Sequence, residues 1–102
     1  MRTHPVFLCL EGRSCVVIGG DQAIEGKVRA CLLAGAAITL IAEDPTPALR
    51  ALAATGAIRW VARDHVAGDL RGAMLAYASV RDPERIRDLR DEAARERVLS
   101  RT

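Results

Sequence analysis

The pattern that narrows the choice of fold furthest is a strand, a glycine turn, a helix and a second strand in direct succession. Ser14–Ile18 is apolar after its serine and rich in β-branched residues, as in a strand buried on both faces of a parallel sheet. Gly19 and Gly20 follow this strand. The apolar positions of Gln22–Leu33 then suit a helix packed on a sheet, and residues 37–42 form a second buried strand. This order predicts a βαβ unit.

The glycine turn of this unit is typical of dinucleotide-binding folds. In such a turn, backbone N–H groups and a helix N-terminus face a pyrophosphate. Here Asp21 stands where the phosphate would approach. Aspartate is a favoured helix N-cap, but its charge also repels a phosphate. Both interpretations can hold together, since a cap would occupy N–H groups that a phosphate would use.

The rest of the chain also alternates helices with strands. Thr46 is a predicted N-cap and Gly56 a predicted helix stop, while Asp82 precedes a helix that begins with proline. The predicted elements are a short apolar run at 6–10, a helix at Pro47–Ala54, strands at 58–62 and 73–79, a loop with a helical turn at 65–72, and a helix at 83–99. We therefore predict a single α/β domain over residues 1–102: a Rossmann-like parallel sheet of four to five strands with helices on both faces.

Composition narrows the range of partners. Half of the 102 residues are hydrophobic but only 3% are aromatic, which predicts an aliphatic core. A net charge of +2 from fifteen basic and thirteen acidic residues argues against binding to nucleic acid or a membrane surface. No apolar run approaches the roughly 18 residues that span a bilayer, and no signal peptide is evident, so the sequence predicts a cytoplasmic protein.

We interpret the cysteines and the charged C-terminal segment as parts of the fold and not as functional sites. Cys9, Cys15 and Cys31 show neither a CxxC pair nor zinc-ligand spacing, so we expect buried, reduced thiols and no metal site. Seven arginines lie between Arg81 and Arg101, interleaved with acids, and are expected on the solvated face of a helix. The opposite face carries a stripe of Ile86, Leu89 and Ala93.

A ligand of a parallel sheet binds beyond the carboxyl ends of its strands, where the strand order reverses. Glu43 or Asp44 would hydrogen-bond an adenosine ribose and favour NAD over NADP, although both also read as loop acids before a proline turn. Asp64 and His65 are adjacent in a loop and are expected to be solvated surface residues. The predicted cofactor-binding residues are Gly19, Gly20, Asp21, Gln22, Ala23, Glu43, Asp44 and Ser79.

Four segments, in order, resemble the N-terminal domain of siroheme synthase, the precorrin-2 dehydrogenase/sirohydrochlorin ferrochelatase family. The resemblance covers almost the whole chain and is specific as a set. The segments are His-Pro-Val-Phe-Leu-Cys-Leu-Glu-Gly-Arg at 4–13, Val-Val-Ile-Gly-Gly at 16–20 with the later Glu25-x-Lys27, Leu-Ala-Gly-Ala-Ala-Ile-Thr-Leu-Ile-Ala at 33–42, and Trp-Val-Ala-Arg at 60–63 followed by Asp69-Leu.

The resemblance implies NAD-dependent oxidation of precorrin-2 to sirohydrochlorin, followed by iron insertion. It implies NAD as cofactor, a tetrapyrrole substrate and a homodimer. Arginines such as Arg63, Arg71 and Arg81 would meet the carboxylates of the tetrapyrrole.

The chain also departs from the family pattern. Asp21 replaces the third loop glycine, and Ile24 replaces a small alanine. The Ala-Thr-Asp stretch that follows the fourth strand is changed to Ser-Val-Arg-Asp at 79–82. The sequence ends at Thr102, about where the family's Asn-Val-Val-Asp motif with its catalytic aspartate would begin, so no catalytic residue is predicted. The alternative hypothesis is therefore a non-catalytic accessory or interaction domain that no longer binds NAD.

Overall fold

The computed structural model describes residues 9–101, which form one five-stranded sheet and three helices. All strand pairs are parallel, and the strand order is β3-β2-β1-β4-β5. This confirms the predicted Rossmann-like fold class. The elements are β1 Ser14–Ile18, α1 Gln22–Leu33, β2 Ala37–Ile41, α2 Pro47–Ala54, β3 Arg59–Val61, β4 Leu75–Ala78, α3 Pro83–Arg95 and β5 Leu99–Arg101.

Helices cover both faces of the sheet, as predicted. Successive residues of β1 point to opposite faces, so Val17 packs with α1 and α2 while Val16 packs with α3. The first cluster contains Val28 and Leu49, which are fully buried, and the second contains Leu89. Both clusters are aliphatic, in agreement with the composition. The carboxyl ends of all five strands consequently meet at one edge of the molecule.

Local capping signals place the first two helices. The side chain of Asp21 accepts a hydrogen bond from the Ile24 amide at 3.2 Å, and Thr46 accepts one from the Leu49 amide at 3.4 Å. Gly35 lies in the left-handed region at φ +83° just after α1. The predicted bounds of α1 and α2 are therefore confirmed. The predicted run at 6–10 falls mostly outside the described residues, and its last two residues belong to no helix or strand.

The end of the chain differs from the prediction of one long helix. Helix α3 stops at Arg95, and Arg97 adopts a positive φ of +55°. The amide of Val98 bonds to the carbonyl oxygen of Ala93 at 2.8 Å while its side chain is buried. Leu99 then pairs with Leu75 of β4, which starts β5. The burial of Val98 and the pairing of β5 with β4 thus end the helix, although the pattern of charges in the sequence predicts that it continues.

The long connection from β3 to β4 contains turns but no helix, contrary to the predicted helical turn. It is held by Glu92, a carboxylate on α3 that is only 4% exposed. One oxygen of Glu92 lies 2.9 Å from His65 Nε2, and the other accepts from the amides of Gly68 at 3.2 Å and Leu70 at 3.0 Å. The expectation that His65 is a solvated surface residue is therefore wrong, because α3 supplies it with a buried partner.

Asp69, in the same connection, is expected to make the free energy of unfolding sensitive to acid. Two hydrogen bonds of 2.8 Å from Arg63 and one from the Val66 amide hold the pKa of Asp69 below its ordinary value. A depressed pKa in the folded state means that the contribution is full above the ordinary carboxyl pKa of about 4 and is lost as the pH falls below it. We expect Asp69→Asn to flatten the fall in unfolding free energy between about pH 5 and pH 3, measured by urea titration. The exposed Asp88→Asn is the control, and an equal flattening in that variant would contradict the assignment.

The three cysteines do not share one environment. Cys15 and Cys31 are buried with their Sγ atoms 3.7 Å apart, and burial raises the pKa of Cys15 to about 12. Cys9 is exposed, so the expectation of three buried thiols is wrong for this residue, which precedes the sheet instead of lying within it. All three are free thiols. Over residues 9–101 no helix has the length and apolarity to cross a bilayer, and no cluster of metal-binding side chains occurs.

Candidate functional site

A crevice of about 250 Å³ opens at the carboxyl edge of the sheet, beside the point where the strand order reverses between β1 and β4. The structure brings five of the predicted site residues into its lining: Gly19, Gly20, Glu43, Asp44 and Ser79. Asp21, Gln22 and Ala23 do not line it; they form the cap and first turn of α1 directly after the lining glycines. Open parallel sheets bind their ligands at such reversal points.

The two glycines of the turn are required by the packing of the chain itself. Gly19 lies at φ +103°, and a Cβ there would approach the carbonyl oxygen of Ser79 to 2.9 Å. A Cβ on Gly20 would lie 2.6 Å from Cα of Pro45, and the carbonyl oxygen of Gly20 accepts a 2.9 Å bond from the Thr46 amide. The loops after β2 and β4 therefore close tightly around the turn.

This packing predicts opposite effects for two glycine substitutions. Gly20→Ala should lower the free energy of unfolding by about 1–3 kcal/mol, because the new Cβ collides with Pro45. Gly26→Ala, in the exposed middle of α1 with nothing near the added Cβ, should raise it by about 0.5–1 kcal/mol. Urea unfolding of both variants measures the difference, and a neutral Gly20→Ala would contradict this description of the turn.

Asp21 caps α1 and also joins the two loops that flank the reversal point. Its Oδ1 accepts from the Ile24 amide at 3.2 Å, and its Oδ2 accepts a hydrogen bond from the Ser79 hydroxyl. The predicted cap is thus confirmed, and Ser79 is its second partner.

The cap uses only one amide at the start of α1. The amides of Gly20, Asp21, Gln22 and Ala23 donate no hydrogen bond to any residue among 9–101. The expectation that a cap would occupy the N–H groups needed by a phosphate therefore holds for Ile24 alone. Four backbone donors remain at the turn, at the positive end of the helix dipole.

The two acids after β2 are not equivalent. Asp44 is bonded to Arg50, whose Nε also donates to the carbonyl oxygen of Pro45 at 2.9 Å. The guanidinium of Arg50 stacks 5.2 Å from the ring centroid of Trp60. Glu43 is exposed and has no hydrogen bond or ion pair within the described part of the chain. Of the two, Glu43 is therefore the carboxylate that is open to a ligand.

Two residues outside the predicted set also line the crevice, Asp64 and Arg85. Arg85 Nη2 lies 2.6 Å from Asp64 Oδ1. Hydrogen bonds from the His65 amide and from Arg85 hold the pKa of Asp64 below its ordinary value. Asp64 follows β3 and Arg85 belongs to α3, so only the strand order reveals that they meet. The one sequence signal for Arg85 is its basic side chain in the first turn of α3, the helix that follows β4.

A second groove of about 390 Å³ runs between α1 and the end of β4, and Ser79 borders both it and the crevice. Lys27 lines this groove with its Nζ 5.5 Å from the ring centroid of Tyr77, and Arg81 lies beside them. The other two arginines named from the sequence lie elsewhere and are paired. Arg63 binds Asp69, and Arg71 lies 3.8 Å from Glu96.

Comparisons with known proteins agree with this geometry. A family described as putative NAD(P)-binding matches residues 6–102. The chain is 36% identical over 93 residues to a siroheme synthase of Methylobacillus flagellatus, covering 91% of the chain and 20% of that protein. It is also 36% identical over 75 residues to siroheme synthase 3 of Aeromonas hydrophila, covering 74% of the chain and 16% of that protein. The chain thus spans about a fifth of the length of these relatives.

Among solved structures, the chain resembles SirC, a precorrin-2 dehydrogenase, with a TM-score of 0.84. The match covers 98% of the chain and 49% of that protein at 23% sequence identity. At this level of identity, the likeness establishes the fold.

Proposed function

The chain belongs to the putative NAD(P)-binding family that includes the N-terminal domain of siroheme synthase, and on that basis we propose that it binds NAD⁺ as a precorrin-2 dehydrogenase domain. The reaction we propose is the oxidation of precorrin-2 to sirohydrochlorin, in which a hydride and a proton leave the tetrapyrrole. NAD⁺ supplies the hydride acceptor when it is bound.

The observation that carries this proposal is the set of four unengaged amides at the glycine turn. Gly20, Asp21, Gln22 and Ala23 present them beside a crevice at the reversal point of the sheet. Backbone donors at a helix N-terminus are the usual binding groups for a pyrophosphate in this architecture. The backbone donors therefore fit a dinucleotide, and at the turn itself the carboxylate of Asp21 is the group that opposes it.

Glu43 would select between the two nicotinamide dinucleotides. Its carboxylate is exposed at the end of β2 and has no partner among residues 9–101, so it is available to accept from the ribose hydroxyls of adenosine. A 2′-phosphate at the same place would meet a like charge. We therefore propose NAD⁺, and not NADP⁺, as the cofactor.

The groove beside the crevice suits a substrate with carboxylate groups. Lys27 and Arg81 supply positive charge, and Ile24, Tyr77 and Val80 supply apolar surface. A tetrapyrrole with acidic side chains combines a conjugated ring with peripheral carboxylates and would match both kinds of surface. We propose that Lys27 and Arg81 orient the substrate next to Ser79, which borders both cavities.

Titration of the chain with NAD⁺, followed by calorimetry and by the fluorescence of Trp60, tests the proposal. We expect saturable binding of NAD⁺, weaker binding of NADP⁺, and loss of that preference in Glu43→Gln. Asp44→Asn serves as the matched control, since Asp44 is already paired with Arg50. Absence of NAD⁺ binding at millimolar concentration would overturn the proposal and favour a non-catalytic accessory domain.

A further inference from the structure

We propose that Arg85 binds the pyrophosphate of the dinucleotide and offsets the charge of Asp21. This inference rests on the proposed function and deepens it, because it names a phosphate ligand outside the glycine turn. It would explain how a chain with an aspartate in its phosphate turn retains a usable nucleotide site.

The position of Arg85 is the first support. It is the third residue of α3 and lines the same crevice as Gly19, Gly20 and Ser79. Its side chain is 39% exposed, so Asp64 anchors it at the crevice while part of it remains open to solvent. Arg85 therefore reaches the crevice from the first turn of α3, the helix that follows β4 on the other side of the reversal point.

The hydrogen bonding of Arg85 is the second support. Its Nη2 donates to Asp64 Oδ1 at 2.6 Å, and this is the only hydrogen bond of its side chain within residues 9–101. The guanidinium carries five N–H donors in a rigid planar arrangement. Asp64 thus fixes one edge of the group and leaves other donors for the oxygen atoms of a phosphate, which arginine binds in bidentate fashion.

The charge distribution is the third support. The residues that line the crevice include Glu43, Asp44 and Asp64, and Arg85 is the only basic side chain among them. Arg50 neutralises Asp44 from outside the crevice, whereas no basic residue pairs with Asp21 in the described part of the chain. A pyrophosphate adds two negative charges. Without Arg85, the bound phosphates would meet no positively charged side chain among the residues that line the crevice.

Calorimetric titration with NAD⁺, ADP and adenosine tests this role. Arg85→Gln should weaken the binding of NAD⁺ and ADP at least tenfold, since a charge-assisted hydrogen bond and a screening charge are both lost. The binding of adenosine, which has no phosphate, should stay within twofold. Arg85→Lys should recover part of the loss. The matched control is Arg87→Gln, an exposed arginine on the same helix that lies outside the crevice.

The outcomes separate this inference from the proposed function. If the unaltered chain binds NAD⁺ and Arg85→Gln binds it equally well, the role of Arg85 is refuted and the function stands. An equal loss of adenosine binding in Arg85→Gln also refutes the role, because the defect would then be structural. If the unaltered chain binds neither NAD⁺ nor ADP, both proposals fall. Thermal unfolding of each variant verifies that the fold is intact.

Discussion

Replacing Asp21 by asparagine will tighten the binding of NAD⁺ about tenfold to a hundredfold. Two unit charges about 4 Å apart repel by about 4 kcal/mol at an effective dielectric constant near 20, and screening at this exposed site reduces that to roughly 1–3 kcal/mol. Asparagine caps a helix as well as aspartate does. The substitution therefore removes the charge and keeps the bond to the Ile24 amide. Calorimetric titration with NAD⁺ measures the change.

Asp21→Gly completes this experiment. It removes the charge together with the bond to Ser79, and it restores the glycine that the family pattern has at this position. We expect a similar gain in affinity, with a loss of unfolding free energy of at most about 1 kcal/mol from the missing cap. Unchanged or weaker NAD⁺ binding in both variants would show that the carboxylate does not oppose the phosphates.

Replacing Glu92 by alanine will lower the free energy of unfolding by about 3 kcal/mol or more. The substitution leaves a cavity beneath the connection between β3 and β4, and it removes the acceptor of the Gly68 and Leu70 amides. It also deprives His65 of its buried partner. The buried Leu70 amide left without an acceptor costs about 1–3 kcal/mol, and this loss adds to the cavity term. Urea unfolding monitored by circular dichroism measures the effect.

Two variants sharpen the interpretation of that result. Asp91→Ala changes the neighbouring exposed acid on the same helix and should shift the unfolding free energy by less than about 0.5 kcal/mol. Glu92→Gln retains the shape of the side chain and one acceptor oxygen, so it should give an intermediate loss. If Glu92→Ala were as mild as Asp91→Ala, the connection would not depend on this carboxylate.

The first half of the fold follows closely from the sequence because its signals are local. Asp21 and Thr46 each cap a helix through an amide three residues later, and Gly35 ends α1 in a conformation that favours glycine. The strands on each side of α1 are mostly apolar and rich in β-branched residues. Such signals need no knowledge of the tertiary structure, and the bounds of both helices are correct.

The second half depends on contacts between distant segments, and there the sequence was less informative. Strand β5 exists because Val98 is buried and Leu99 pairs with β4, neither of which shows in an arginine-rich segment that otherwise continues a helical pattern. Glu92 is one acid among many on α3, and only the fold places His65 against it.

The candidate site divides in the same way. The glycine turn and Glu43 were predicted because each directly follows a strand, and parallel strands present their carboxyl ends at one edge. Arg85 and Asp64 were missed because one lies inside a helix and the other after a short edge strand. Their meeting at the crevice depends on the order β3-β2-β1-β4-β5, which spacing along the chain does not specify.

The difference in exposure among the three cysteines allows one of them to be labelled selectively. Cys9 is exposed, whereas Cys15 and Cys31 lie in the core and the pKa of Cys15 is raised to about 12. Thiolates are the reactive species, so a maleimide dye will attach at Cys9 in the native protein and spare the other two. A labelled chain, with Trp60 as the single energy donor, then allows ligand-induced movements to be followed by resonance energy transfer without engineering any residue.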